Sequence, residues 1–160
     1  MIKLFMSDVD GTLTDSGIYY SRSGEELKKF NMRDGMGFEI LRKKKILTGL
    51  ITSEYSKQVE LRAKKLEIDY LFQGKKFESK LQTIEKLCES LNISIHEVAY
   101  IGDDINCYDL LSKVGVPGCP GDAIDEIKNI ENICIMGKVG GNGAVREFIN
   151  YLINNELLYN

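Results

Sequence analysis

A chain of 160 residues, 43% hydrophobic and 28% charged, has an ordinary globular composition and the length of one compact domain, taken as residues 1–160. A net charge of −3 and a pI near 5.3 exclude a bulk basic field for nucleic acid or an anionic membrane. No apolar run nears the roughly 18 residues that cross a bilayer, and the N-terminus runs straight into acidic residues, so a cytoplasmic protein is expected. The cysteines Cys88, Cys107, Cys119 and Cys134 form no CxxC pair or zinc spacing. The single histidine, His96, excludes a His-rich metal site and is expected at the surface, in a polar linker.

In chain order, Ile2–Met6 reads as a buried strand that ends in Asp8-Val9-Asp10-Gly11-Thr12. Gly17–Phe30 reads as two strands around the turn Arg22-Ser23-Gly24-Glu25. Helix Gly35–Lys45, strand Ile46–Ile51, helix Ser56–Leu66 and strand Tyr70–Phe72 follow, the second helix carrying Val59, Ala63 and Leu66 at helical spacing. Helix Ser79–Leu91, strand Val98–Ile101, helix Asn106–Val114 and strand Gly115–Cys119 continue the alternation. Helix Ala123–Asn129, a sixth strand candidate at Ile133–Met136 and helix Gly143–Asn154 complete it. Apolar strands alternating with helices predict an α/β fold, a Rossmann-like doubly wound parallel sheet. The hairpin then stands as an insertion after the first strand, at the edge where such sheets bind ligands.

Asp8 and Asp10 lie two apart at a strand end, so both carboxylates can face one pocket, and Gly11 lets the chain turn away. Alone, the pair reads equally as a surface turn; an EF-hand does not fit, because Gly11 holds the fourth position and not the sixth. A second acidic pair, Asp103-Asp104, follows the strand Val98–Ile101, and parallel strands bring both pairs to the same edge. Such an all-oxygen site suits Mg²⁺ over zinc or copper. Thr52 and Ser53 end a third strand and offer hydroxyls and amides for phosphate oxygens, while Lys80 opens a helix where a cation would help hold an anion. The arrangement suits a nucleophile kept ionised by a metal and a neighbour that holds and returns a proton.

These residues resemble the motifs of the haloacid dehalogenase superfamily: Asp8–Thr12, Thr52, Lys80 and Gly102-Asp103-Asp104 stand in its order. The resemblance implies that Asp8 attacks phosphorus and Asp10 protonates the leaving alcohol, then activates water. It implies Mg²⁺ on Asp8, the Asp10 carbonyl and Asp103, with Asp104 in support, and Thr52 and Lys80 on the phosphoryl group. Phe30-Asn31-Met32-Arg33-Asp34-Gly35-Met36-Gly37, Phe72-Gln73-Gly74 and Gly140–Glu147 look like the capless branch of KDO 8-phosphate phosphatases and sialic acid or KDN 9-phosphate phosphatases. That branch implies a homotetramer, with the Tyr19–Phe30 hairpin and the Gly140–Arg146 tail as interface candidates.

Two departures stand out. Cys107 replaces an acid common in the branch's fourth motif, with Asp109 nearby. Glu54 follows Thr52-Ser53 where KDO 8-phosphate phosphatases tend to carry Arg, which favours a nine-carbon sugar acid phosphate and leaves KDO 8-phosphate as the alternative. Ser53 and Arg33 join Glu54 as candidate substrate contacts; Arg62 and Lys65 are either partners of the substrate carboxylate or plain surface charges. A non-catalytic domain, a stand-alone counterpart of the phosphatase domain associated with acylneuraminate cytidylyltransferases, is the competing class.

Overall fold

In the computed structural model, which describes residues 1–74 and 79–159, the chain begins with β1 (Leu4–Ser7), buried at every position. A two-stranded antiparallel hairpin follows, β2 (Thr14–Ser21) and β3 (Gly24–Phe30), and then helix α1 (Met32–Lys43). Next come β4 (Leu47–Thr52), α2 (Lys57–Leu66), β5 (Tyr70–Gln73) and α3 (Lys80–Leu91). The remainder is β6 (Val98–Ile101), α4 (Tyr108–Leu111), β7 (Val116–Cys119), α5 (Asp125–Lys128), β8 (Cys134–Ile135) and α6 (Ala144–Asn154). The six strands outside the hairpin form one parallel sheet in the order β5-β4-β1-β6-β7-β8. Among the described residues the hairpin is the only insertion after β1, and no cap domain is present.

Alternation along β1 divides the interior. Phe5 faces α1, α2 and α6, where it packs on Phe38 and Phe148 at centroid distances of 5.7 and 5.9 Å. Leu4 and Met6 face Ile84 of α3, Leu110 of α4 and Ile127 of α5. Helices on both faces explain why the strands read as continuous apolar runs. Truncating Phe148, fully buried in this arrangement, would cost about 3–5 kcal/mol. The chain leaves β1 toward β4 on one side and returns to β6 on the other, so the carboxyl ends of β4, β1 and β6 flank the point where strand order reverses.

The boundaries depart from sequence periodicity where side chains cap the backbone. Helix α1 starts at Met32, before the expected Gly35, because the Asn31 side chain accepts a 2.8 Å hydrogen bond from Arg33 N. The helix expected over Asn106–Val114 is instead a 3₁₀ turn at Ile105–Cys107 and the short α4. Asp104 caps that turn, and Gly115 ends the segment at a spot where a β-carbon would lie 1.8 Å from the His96 carbonyl oxygen. Helix α5 and strand β8 keep only the centres of the Ala123–Asn129 and Ile133–Met136 expectations. His96 is exposed, in a 3₁₀ turn ahead of β6. No helix among the described residues is long and apolar enough to cross a membrane.

Candidate active site

Asp8 continues β1 by one residue, its N–H donating to Ile101 O of β6 at 2.9 Å. This places its carboxylate at the sheet edge while leaving it 4% exposed. Oδ1 accepts from Val9 N at 2.7 Å; Oδ2 accepts from Lys80 Nζ at 2.6 Å and from Cys107 Sγ at 2.9 Å. Lys80 is the first residue of α3, behind the Ser79 cap and its box with Gln82. A cation there opposes the helix dipole, so its burial needs an anion, and Asp8 supplies one. Its other two N–H groups reach Cys107 Sγ at 3.2 Å and Tyr100 OH at 3.4 Å, which satisfies all three donors. Burial alone would lower the pKa of this ammonium; the Asp8 charge, Cys107 and its hydrogen bonds outweigh it and hold the group above its ordinary value. Burial, then the Asp8 charge, pushes the Cys107 thiol up to about 12, so it stays protonated and donates. Asp109, the nearby acid, is exposed on α4 and does not take over the position of Cys107.

Asp10 is held differently. Its Oδ1 accepts from Lys28 Nζ of the hairpin at 2.5 Å and its Oδ2 from Thr52 Oγ1 at the end of β4 at 3.2 Å. Asp103 follows β6, its Oδ1 accepting from Thr12 Oγ1 at 2.9 Å. Gly11 has φ +84°, and a β-carbon there would sit 2.0 Å from Asp103 Oδ2. The two acidic segments therefore approach only because that position is glycine. The loop beneath is equally close: a β-carbon on Gly140 would lie 1.9 Å from Gly11 O, and Gly141 N donates to Thr12 O at 3.1 Å.

Asp8, Asp10, Thr52, Ser53, Glu54, Asp103 and Asp104 line one cleft of about 200 Å³, together with Ser16 and Asn106. Lys80 closes it from below through Asp8. Three other candidates lie outside this cleft: Arg33, expected as a substrate contact, and Arg62 and Lys65, for which the sequence leaves a substrate partner and a plain helix-surface charge both open. Arg62 occupies the inner stripe of α2 beside Val59 and Leu66; its guanidinium stacks 5.5 Å from the Phe30 ring and donates to Asn31 O at 3.1 Å. Lys65 is exposed on α2, and Arg33 lines a separate surface cavity with Lys138 and Arg146. Helix phase explains this: a spacing of three from Val59 turns Arg62 inward, while Lys65 falls on the outer face. Lys28 and Ser16 are site residues that no motif announces, whereas Asn106 lies within the fourth motif, Gly102-Asp103-Asp104-Ile105-Asn106. For Lys28 the sequence offers no distinguishing signal, since it stands in Leu27-Lys28-Lys29-Phe30 beside a second lysine that stays exposed.

Among the described residues the carboxylates do not form a closed metal cage, since each has a protein partner: Lys80 on Asp8, Lys28 on Asp10, Thr12 on Asp103 and Ile105 N on Asp104. Their chemistry nevertheless fits a hard divalent cation. The donors are oxygens, and burial, followed by the Asp8 charge, pushes the Asp103 carboxyl up to about 7. A cation between the two acids relieves that repulsion.

Comparison with known proteins agrees with this geometry. Residues 40–149 match the family of haloacid dehalogenase-like hydrolases. The 3-deoxy-D-manno-octulosonate 8-phosphate phosphatase of Escherichia coli (strain K12) is 38% identical over 156 residues, covering 95% of this chain and 79% of that protein. The crystal structure of the Moraxella catarrhalis 3-deoxy-D-manno-octulosonate 8-phosphate phosphatase, in complex with magnesium, phosphate and KDO, aligns with a TM-score of 0.90 at 35% identity, covering 96% of this chain and 86% of that one. The cobalt-bound Haemophilus influenzae phosphatase aligns with a TM-score of 0.89 at 30% identity, covering 96% of this chain and 88% of that one. On these grounds the chain belongs to the haloacid dehalogenase-like hydrolases, in the capless branch that holds the 3-deoxy-D-manno-octulosonate 8-phosphate phosphatases.

Proposed function

We propose that the protein is a Mg²⁺-dependent phosphatase that hydrolyses the phosphate ester of a 2-keto-3-deoxy sugar acid, KDO 8-phosphate being the reading its relatives favour. The observation that carries the reaction is the Asp8 carboxylate at the sheet edge, 2.6 Å from a buried lysine, with Asp10, Thr52 and Asp103 around the same cleft. Asp8 attacks phosphorus, the ester P–O bond breaks, and Asp10 gives its proton to the leaving alkoxide. Asp10 then takes a proton from the water that attacks the aspartyl-phosphate, releasing phosphate and restoring Asp8. Lys80, Thr52 and the amides beside Ser53 neutralise the transferring group. Mg²⁺, which Asp8, the Asp10 carbonyl and Asp103 would hold with Asp104 in support, supplies further charge neutralisation when bound.

A cleft of about 200 Å³ takes a phosphoryl group but does not enclose an eight- or nine-carbon acid, for which pockets of roughly 300–1,000 Å³ are usual. Among the described residues the cleft leaves the rest of the substrate uncovered, which is compatible with a neighbouring subunit in a homotetramer closing the site. The exposed apolar residues of the hairpin and the start of α1 agree: Tyr19, Tyr20, Leu27 and Met32 all face solvent in the single chain. A cytoplasmic location suits such a catalyst.

The nine-carbon reading stands second, carried by Glu54 at the mouth of the cleft. The kcat/KM values for KDO 8-phosphate, KDN 9-phosphate and N-acetylneuraminate 9-phosphate with Mg²⁺ decide between them. A KDO preference is expected; a preference for either nonulosonate reverses the assignment, and no phosphate release from any ester would leave a non-catalytic domain. Glu54→Arg is expected to shift preference further toward KDO 8-phosphate.

A further inference from the structure

We propose that Lys28 is a positioning residue through which the hairpin orients Asp10, an inference that rests on the phosphatase reading above. The hairpin has an inverted polarity. The Lys28 side chain is wholly buried, whereas its neighbour Leu27 is 61% exposed and pairs across the strands with exposed Tyr19. A β-ribbon that served only its own stability would do the reverse, because a buried ammonium is costly unless paired and an exposed leucine gains nothing. The lysine's place is explained by its partners: Asp10 Oδ1 at 2.5 Å and Glu25 Oε2 at 3.8 Å.

These contacts continue into the scaffold. Glu25 Oε1 accepts from the hydroxyl of Ser56, the residue just before α2, at 2.6 Å, and Glu25 O accepts from Gln58 Nε2 at 3.3 Å. Asp10 thus has one oxygen held by Thr52 from the sheet and the other by Lys28 from the hairpin. Opposed donors on the two oxygens fix the plane of a carboxylate, and an acid/base group works only when it is aimed at the leaving oxygen. Whatever moves the hairpin then moves the proton donor. Asp8 has no such dependence, since its lysine comes from α3.

The test exploits leaving groups. An alkyl ester needs a proton from Asp10, whereas p-nitrophenolate leaves without one, and kcat/KM reports the first phosphoryl transfer. For Lys28→Met, kcat/KM is expected to fall about 10²-fold on an alkyl phosphate and less than about threefold on p-nitrophenyl phosphate, with Lys28→Arg recovering part of the loss. Should the methionine variant fail to fold, Lys28→Gln carries the same comparison. Equal losses on both esters would mean that the lysine only supports the fold, and an unchanged alkyl ester would mean no role; either overturns the proposal. Wild-type protein inert toward both esters sinks the phosphatase reading itself, and the positioning role with it.

Discussion

The two halves of the cleft are built on opposite plans. On one side Asp8, Lys80, Cys107 and Tyr100 form a buried, mutually hydrogen-bonded cluster between the sheet and α3, with Asp8 reaching the floor of the cleft. On the other, Asp10 is part-exposed and its cation arrives from an insertion outside the sheet. Two aspartates only two residues apart thus receive their lysines from unrelated parts of the chain. A nucleophile gains from rigidity and a dry electrostatic setting. A group that must exchange protons with an alcohol and with water gains from access, and here its support comes from outside the sheet.

The hardest way to break this contrast is at the buried end. Asp8→Asn is expected to lower turnover by at least about 10³-fold while circular dichroism stays native; near-normal rates would refute the nucleophile assignment. Lys80→Met leaves a buried carboxylate without its cation, so kcat should fall about 10²–10³-fold. Without Mg²⁺ the same variant should lose about 3 kcal/mol in urea unfolding, and added Mg²⁺ should restore part of it. A loss no larger than that of a surface lysine would show that the buried half is not held by this pair.

Cys107 sharpens the comparison because it touches Asp8, Lys80 and Tyr100 together. Cys107→Ala should cost about 1–2 kcal/mol and lower kcat about tenfold with KM little changed, and Cys107→Ser should recover much of both. A change in KM alone would place the residue on the substrate side. The pH dependence of the metal-free protein tests the crowding of acids. The Asp103 carboxyl sits at about 7 in the folded chain against 3.8 ordinarily, so between those values the folded state binds the extra proton. Stability from this group is present at low pH and lost as pH rises toward 7. Asp103→Asn should flatten that slope in thermal melts with chelator, and a slope left intact would assign it elsewhere. The smallest effect belongs to the hairpin's outer face: Leu27→Ser should change monomer stability by less than about 0.5 kcal/mol, and sedimentation should show it weakening the proposed homotetramer; identical sedimentation of variant and wild type would remove Leu27 from that interface.

Much of the architecture was legible because its signals are local. Apolar strands that alternate with helical spacing announce a doubly wound sheet, and acids placed directly after two such strands must meet at one edge of it. Elements shorter than two turns escaped that logic. The segment after Asp104 carries apolar residues in a helical rhythm, yet a side-chain cap and the passage of Gly115 under His96 cut it into a 3₁₀ turn and a four-residue helix. Among site residues, Asp8, Asp10, Thr52, Ser53, Glu54, Asp103 and Asp104 come together as their strand ends require. Arg62 shows the limit, since its charge suggests solvent or substrate while its phase on α2 turns it under Phe30.

By itself the sequence determined the sheet, the carboxyl edge and the acids on it, because periodicity and spacing along one strand settle which way a side chain faces. Only the tertiary structure decided which cation serves which acid. Lys80 and Lys28 lie 72 and 18 residues from their partners, and no local rule relates such separations to a contact of 2.6 or 2.5 Å. That pairing depends on where α3 enters and how the hairpin folds over the edge, and both are set by packing.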